Sequence, residues 1–111
     1  MNDMNISGRA AIAGLGATEF SKNSGRTELR LAMEATLAAL ADAGIDPKEV
    51  DGFSSYSVDK VPGYEIARLL GARNVNFFSQ VPHGGGAACG PVLHAAMAVA
   101  TGVAKTVVVY R

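Results

Sequence analysis

The side chains with both the reactivity and the setting for chemistry cluster in residues 81–111, VPHGGGAACGPVLHAAMAVATGVAKTVVVYR. His83 is followed by three glycines, Gly84, Gly85 and Gly86, at what reads as the exit of a strand. Glycines there let a backbone come close to a ligand and turn its N–H groups inward. A helix N-terminus just beyond adds partial positive charge, which suits an oxyanion or a thioester oxygen. His83, Gly84, Gly85 and Gly86 are therefore the candidate substrate and oxyanion loop, with a glycine-lined packing loop as the competing reading. His83 is the candidate catalytic side chain, as an acid or base or as a group that orients a carbonyl. A solvated loop histidine is its alternative.

Cys89 is the single cysteine of the chain. A thiol near a helix start can have its pKa lowered and act as a nucleophile. Pro91, however, must sit in a first helical turn, because its ring and missing N–H would break a helix interior. That places Cys89 at about the first helical positions, several residues past the glycines, where the expectation is packing as a small apolar group. His94 follows Pro91 by three residues on an apolar helix and reads as a satisfied core or interface histidine. No cysteine or acid stands three or four residues after it to complete a metal pair, so no metal site is expected. His-Gly-Gly-Gly resembles the oxyanion motif of α/β-hydrolases, but its G-x-S-x-G partner is absent. Gly14-Leu15-Gly16-Ala17 follows a predicted strand, yet the third glycine of a dinucleotide fingerprint is replaced by Glu19 and the next helix starts only near residue 27. A tight strand exit is the better reading.

Composition narrows the class. The chain has 111 residues, 49% of them hydrophobic, with ten Lys+Arg balanced by ten Asp+Glu. No basic footprint for nucleic acid or an anionic membrane exists, and the charges are interspersed. One cysteine forbids an internal disulfide and fits a reducing, cytoplasmic setting. The N-terminus lacks a signal-peptide pattern, and the apolar run near residues 87–100 falls short of the roughly 20 residues that span a bilayer. The expectation is a soluble protein.

The elements that must position the loop follow from pattern. Residues 1–8 read as a loose lead-in and residues 9–15, RAAIAGL, as a first strand; residues 20–26 form an exposed loop. Thr27 caps a helix to about Ala43, with Leu29, Met33, Leu37 and Leu40 on its inward face and Gly44 as the left-handed stop. Asp46 caps a single turn opened by Pro47, to which Glu49 can reach back. Residues 53–58 make a second strand, 64–70 a short helix closed by Gly71, and 74–81 a third strand. A helix over residues 87–100 is apolar on all sides and hence expected to be buried. Residues 106–110, TVVVY, read as a strand covered on both faces. The order gives an α/β class with a mostly parallel sheet and helices on its faces. The last strand asks for neighbours that nothing after it supplies, so either another chain completes the layer or the sequence is the N-terminal part of something longer.

Three motifs carry a family resemblance: G-x-G-x-T-x-F at residues 14–20, A-L-x-D-A-G-I with D-P-x-x-V-D-G after it at residues 39–52, and A-M-A-V-A-T-G-V-A before the final strand. From about Arg9 onward the chain resembles the N-terminal part of the thiolase superfamily, and more narrowly its sterol-carrier-protein-type thiolases and thiolase-like lipid-transfer-protein steroid aldolases. The resemblance implies a layered αβα fold with a mostly parallel or mixed sheet and a buried central helix, residues 1–111 being the N-terminal portion of such a domain. Counted back from Thr101-Gly102-Val103-Ala104, the position of the family's nucleophilic cysteine is Gly85, not Cys89. The steroid aldolases likewise dispense with that cysteine. They cleave a β-hydroxyacyl-CoA by retro-aldol reaction, releasing propionyl-CoA or acetyl-CoA and a ketone. The resemblance further implies an acyl-CoA steroid thioester as substrate with no bound cofactor, a homodimer, an OB-fold partner protein containing zinc, and catalytic tyrosines and histidines beyond Arg111. Two other functions stay open: an acetyl-CoA acyltransferase using a cysteine, and a non-catalytic subunit that binds acyl-CoA or a partner.

Overall fold

A computed structural model of the chain describes residues 5–57, 60–82 and 89–111. The first regular element is α1, Glu28–Ala43. The Thr27 hydroxyl accepts from the Arg30 N–H at 3.1 Å, satisfying one of the donors a helix start leaves open. Gly44 ends α1 at φ 72, a left-handed conformation that favours glycine. Asp46 then accepts from the Lys48 N–H and Pro47 opens a single 3₁₀ turn, as the sequence predicts. The capping bond comes from Lys48, and the Glu49 N–H bonds back to the Asp46 carbonyl.

Three strands follow, alternating with two helices: β1 Gly52–Tyr56, α2 Gly63–Leu70, β2 Phe77–Val81, α3 Gly90–Ala100 and β3 Val107–Val109. The sheet is parallel with β1 in the middle, in the order β2-β1-β3. Gly52 pairs with Phe77 on one side and Val107 on the other. Successive strand residues face opposite layers. Phe53 points to the core of Leu40, Val50, Ile66, Leu70 and Tyr110, against which Leu29, Ala32 and Met33 also pack. Ser54 points to α3. The layers are α1 with α2, then the sheet, then α3. The α/β layered class is as expected, and among the described residues no helix is long and apolar enough to cross a membrane.

Asp51 aligns the starts of all three strands. Its N–H donates to the Thr106 carbonyl at 3.0 Å and its own carbonyl accepts from the Asn76 N–H at 2.8 Å. Its carboxylate accepts from the Lys105 N–H at 3.0 Å and from the Thr106 N–H at 2.9 Å. A charged acceptor on two strand-entry N–H groups is among the stronger hydrogen bonds a protein makes.

Two sequence expectations change. Leu37 is 45% exposed, while Thr36 is buried, because the inward stripe runs through residues 29, 33, 36 and 40, one position round the helix. Residues 9–15 form no strand. A strand exists only against a partner ladder, and among the described residues neither outer edge of the sheet reaches this segment. It lies along α1 instead. A Cβ at Gly14 would collide with the Ala39 carbonyl oxygen, and one at Gly16 with that of Ala35. The Leu15 N–H donates to the Asp42 carboxylate at 2.9 Å, leaving Ile12, Leu15 and Phe20 exposed. Glu19 takes both oxygens to one Arg26 nitrogen at 2.7 and 2.6 Å, and Arg26 Nε lies 3.0 Å from Glu34.

Asp51→Ala is predicted to destabilise the fold by about 1–3 kcal/mol, since two strand-entry donors lose a charged acceptor; urea denaturation measures it, and an unchanged midpoint would count against the alignment role. The hydrogen bond from Arg26 holds the Glu19 carboxyl below the ordinary value of 4.5. A lowered folded pKa means that the pair's contribution is present above that value and lost as pH falls through the folded pKa. The Glu19 carboxyl carbon should therefore titrate below 4.5 in an NMR series and return toward it in Arg26→Gln.

Candidate functional site

His83, Gly84, Gly85 and Gly86, the residues the sequence singles out, lie outside the described residues, as do Ala87 and Ala88. What the structure places are the two elements they join. β2 ends at Val81, buried beneath the sheet's rim, and Pro82 after it is exposed. α3 begins at Gly90 with Cys89 as its N-cap residue, at φ −97 and ψ 0. Pro91 falls in the first turn, as its chemistry requires.

Cys89 overturns the packing expectation. Its thiol is free and the residue is exposed. As the cap residue it precedes the helix that the sheet covers, so the buried face of α3 begins only at Pro91. Its side chain makes no capping hydrogen bond. His94, by contrast, behaves as expected. It is half-buried, faces the sheet, and its Nδ1 shares a 2.6 Å hydrogen bond with Ser79 Oγ. Among the described residues no group of three or more His, Cys, Asp or Glu could hold a metal ion. The two glycines at residues 14 and 16 press on the flank of α1 and not on a helix N-terminus, which rules out a pyrophosphate cradle.

The hydroxyls that hold α3 are Ser54 and Ser79. Ser54 Oγ donates to the Pro91 carbonyl at 2.9 Å in a buried contact. A Cβ on Gly90 would meet the Val81 methyl carbons at 3.1 and 3.3 Å, so backbone and strand end are in close contact. The sequence reading missed both serines, because their place side by side under α3 follows only from the pairing of Ser54 with Ser79 across β1 and β2. On the opposite face of the sheet, at the carboxyl ends of the strands, lies a cavity of about 370 Å³ lined by Phe53, Pro62, Tyr64, Phe78 and Tyr110. Ser55, Ser79 and Gln80 add polar groups to this aromatic lining. The Tyr110 hydroxyl donates to the Val61 carbonyl, tying the end of β3 to the rim.

Among the described residues α3 is covered on one face only. Pro91, Ala95 and Ala98 are buried, while Val92, Leu93 and Met97 are exposed. The chain's relatives bear on this. No family model matches. The chain is 59% identical over 106 residues to a 17-hydroxy-3-oxo-4-pregnene-20-carboxyl-CoA lyase of Mycobacterium tuberculosis, covering 96% of this chain and 28% of that protein. It is 59% identical, again over 96% of its length, to a steroid side-chain-cleaving aldolase of Thermomonospora curvata, of which it covers 27%. Among solved structures it superposes on the Ltp2-ChsH2(DUF35) aldolase with a TM-score of 0.92 at 59% identity, covering 96% of this chain and 28% of that one. A priming β-ketosynthase of a polyketide pathway, thiolase-like in fold, matches 78% of the chain with a TM-score of 0.64 at 28% identity. The resemblance to the steroid aldolases and to the thiolase-like fold is thus borne out in sequence and in structure. The chain spans a little over a quarter of the length of the proteins it matches.

Ser54→Ala is predicted to lower stability by about 1 kcal/mol, because a buried carbonyl loses its side-chain donor. Denaturant unfolding reads the change, and Ser54→Thr should restore most of it if the hydroxyl is responsible.

Proposed function

We propose that this chain is the N-terminal portion of an aldolase that shortens steroid side chains by retro-aldol cleavage of a β-hydroxyacyl-CoA. The observation that carries the reading is identity of 59% along 96% of the chain to two proteins named for that reaction class. The name of the Mycobacterium tuberculosis relative describes a thioester at the carbon-20 carboxyl and a hydroxyl on carbon 17. That is a β-hydroxyacyl-CoA, the pattern a retro-aldol step needs.

The chemistry balances without a covalent enzyme intermediate. A base removes the carbon-17 hydroxyl proton, the oxyanion collapses to a ketone, and the bond between carbons 17 and 20 breaks. Its electron pair enters the thioester as an enolate, which takes a proton on carbon 20. Carbon 20, its methyl group and the thioester carbonyl leave together as propionyl-CoA, and the ring system leaves as a 17-ketone. The enolate oxygen needs hydrogen-bond donors, the role expected of the backbone at Gly84, Gly85 and Gly86 next to His83. The base belongs to residues outside this chain. In the proposed enzyme acyl-CoA is the substrate with no resident cofactor. A homodimer and a DUF35-type partner, the OB-fold zinc protein of the resemblance, complete the assembly; the name of the solved Ltp2-ChsH2(DUF35) aldolase supports the partner.

One observation favours a second reading. Cys89 is exposed at the head of α3, where a thiolase nucleophile would be reachable. Two measurements separate the readings. The full protein with its DUF35 partner should convert the 17-hydroxy-20-carboxyl-CoA thioester to propionyl-CoA and a 17-ketosteroid, followed by mass spectrometry. Intact substrate would sink the aldolase reading. Cys89→Ala should keep turnover within about twofold of the parent, as an exposed residue without a catalytic contact would. Complete loss in that variant, with rapid alkylation of Cys89 in the parent, would favour the acyltransferase.

A further inference from the structure

Ser54 and Ser79 are direct partners across the β1–β2 ladder. They therefore stand side by side on the face that α3 covers, and each reaches a different point on that helix. Ser54 takes the Pro91 carbonyl and Ser79 takes His94 Nδ1. Pro91 and His94 are three residues apart, so they lie one above the other along the same helix face. The rest of that face is alanine, Ala95 and Ala98. Methyl groups against a sheet give little resistance to a slide or a rotation, whereas the buried Ser54 bond and the part-buried Ser79 bond select one arrangement. Between Cys89 and Ala100, His94 carries the one ionisable or hydrogen-bonding side chain apart from the Cys89 thiol.

We propose that His94 is a positioning residue. Bonded through Nδ1 to the Ser79 hydroxyl, it fixes the rotation and height of α3 on the sheet. With them it fixes the spacing between the point where the chain leaves β2 at Val81 and the point where it enters α3 at Gly90. This rests on the aldolase reading, in which the segment between those points meets the thioester.

The test uses the full protein with its DUF35 partner and the steroid thioester above. His94→Leu and Ser79→Ala should each lower kcat by about tenfold or more with KM within about threefold, since a displacement of the order of an ångström at a reacting group has that effect. His94→Asn, whose side-chain amide stands near the Nδ1 position, and Ser79→Thr should keep kcat close to the parent. The double variant His94→Leu with Ser79→Ala should be no slower than His94→Leu alone, because both remove one bond. Equal losses in His94→Asn and His94→Leu would overturn the proposal, as would a kcat that merely tracks the melting temperature. If the parent protein does not cleave the thioester, the aldolase reading fails separately and the pair is read by the alkylation rate of Cys89, one residue before α3, mapped by peptide mass spectrometry. That rate should change in the Leu and Ala variants and return in the Asn and Thr variants; the same rate in all five proteins would reject the positioning role.

Discussion

The structure depends on the alignment that Asp51 imposes at the foot of the sheet. One residue joins three strand entries: its N–H to Thr106, its carbonyl to Asn76, and its carboxylate to the N–H groups of Lys105 and Thr106. Parallel strands have no hairpin turn to set their register, so the alignment must come from contacts far apart in sequence. Fixing the strand entries also fixes the exits. Tyr56 and Val81 end level with each other, and Ser54 and Ser79 come into direct register. The clamp on α3 is therefore a consequence of Asp51, some three residues before the first serine.

The helix boundaries were legible because their signals are local. Thr27, Gly44, Asp46, Pro47 and Gly71 act within a few residues of themselves, and each stands where pattern predicts. Strand status is not local. GFSSY has no strong alternation and two serines, yet β1 is buried along its whole length because it has a neighbour on each edge and helices on each face. Residues 9–15 read as a strand and form none, for want of a ladder beside them among the described residues. The same logic separates Cys89 from His94. His94 lies within the helix on the side that faces the sheet, whereas Cys89 is the cap residue before it and stays exposed. The serines that hold α3 needed the register of β1 against β2, which no single segment encodes.

α3 raises a question of composition against surroundings. Its sequence is apolar on every side, yet Val92, Leu93 and Met97 are exposed here. A contiguous apolar face on one helix marks a contact surface. The matched relatives are between three and four times as long as this chain, which covers 28% of one and 27% of another. A helix this apolar fits a place between two layers, and among the described residues the sheet is the layer that covers it.

In the proposed reaction, the glycine at position 85 follows from what the chemistry has to do. Claisen-type cleavage needs two things at this place: donors for the thioester oxygen and a thiolate to receive the acyl group. Retro-aldol cleavage needs only the first, because the leaving fragment is a ketone and no acyl group is transferred. A thiol retained beside an electrophilic thioester would offer a competing acylation with no product to release. Replacing it by glycine removes that side reaction and lets the backbone approach the substrate oxygen more closely. The demand then shifts from a reactive atom to the placing of a backbone, the role proposed for His94 through its bond to Ser79.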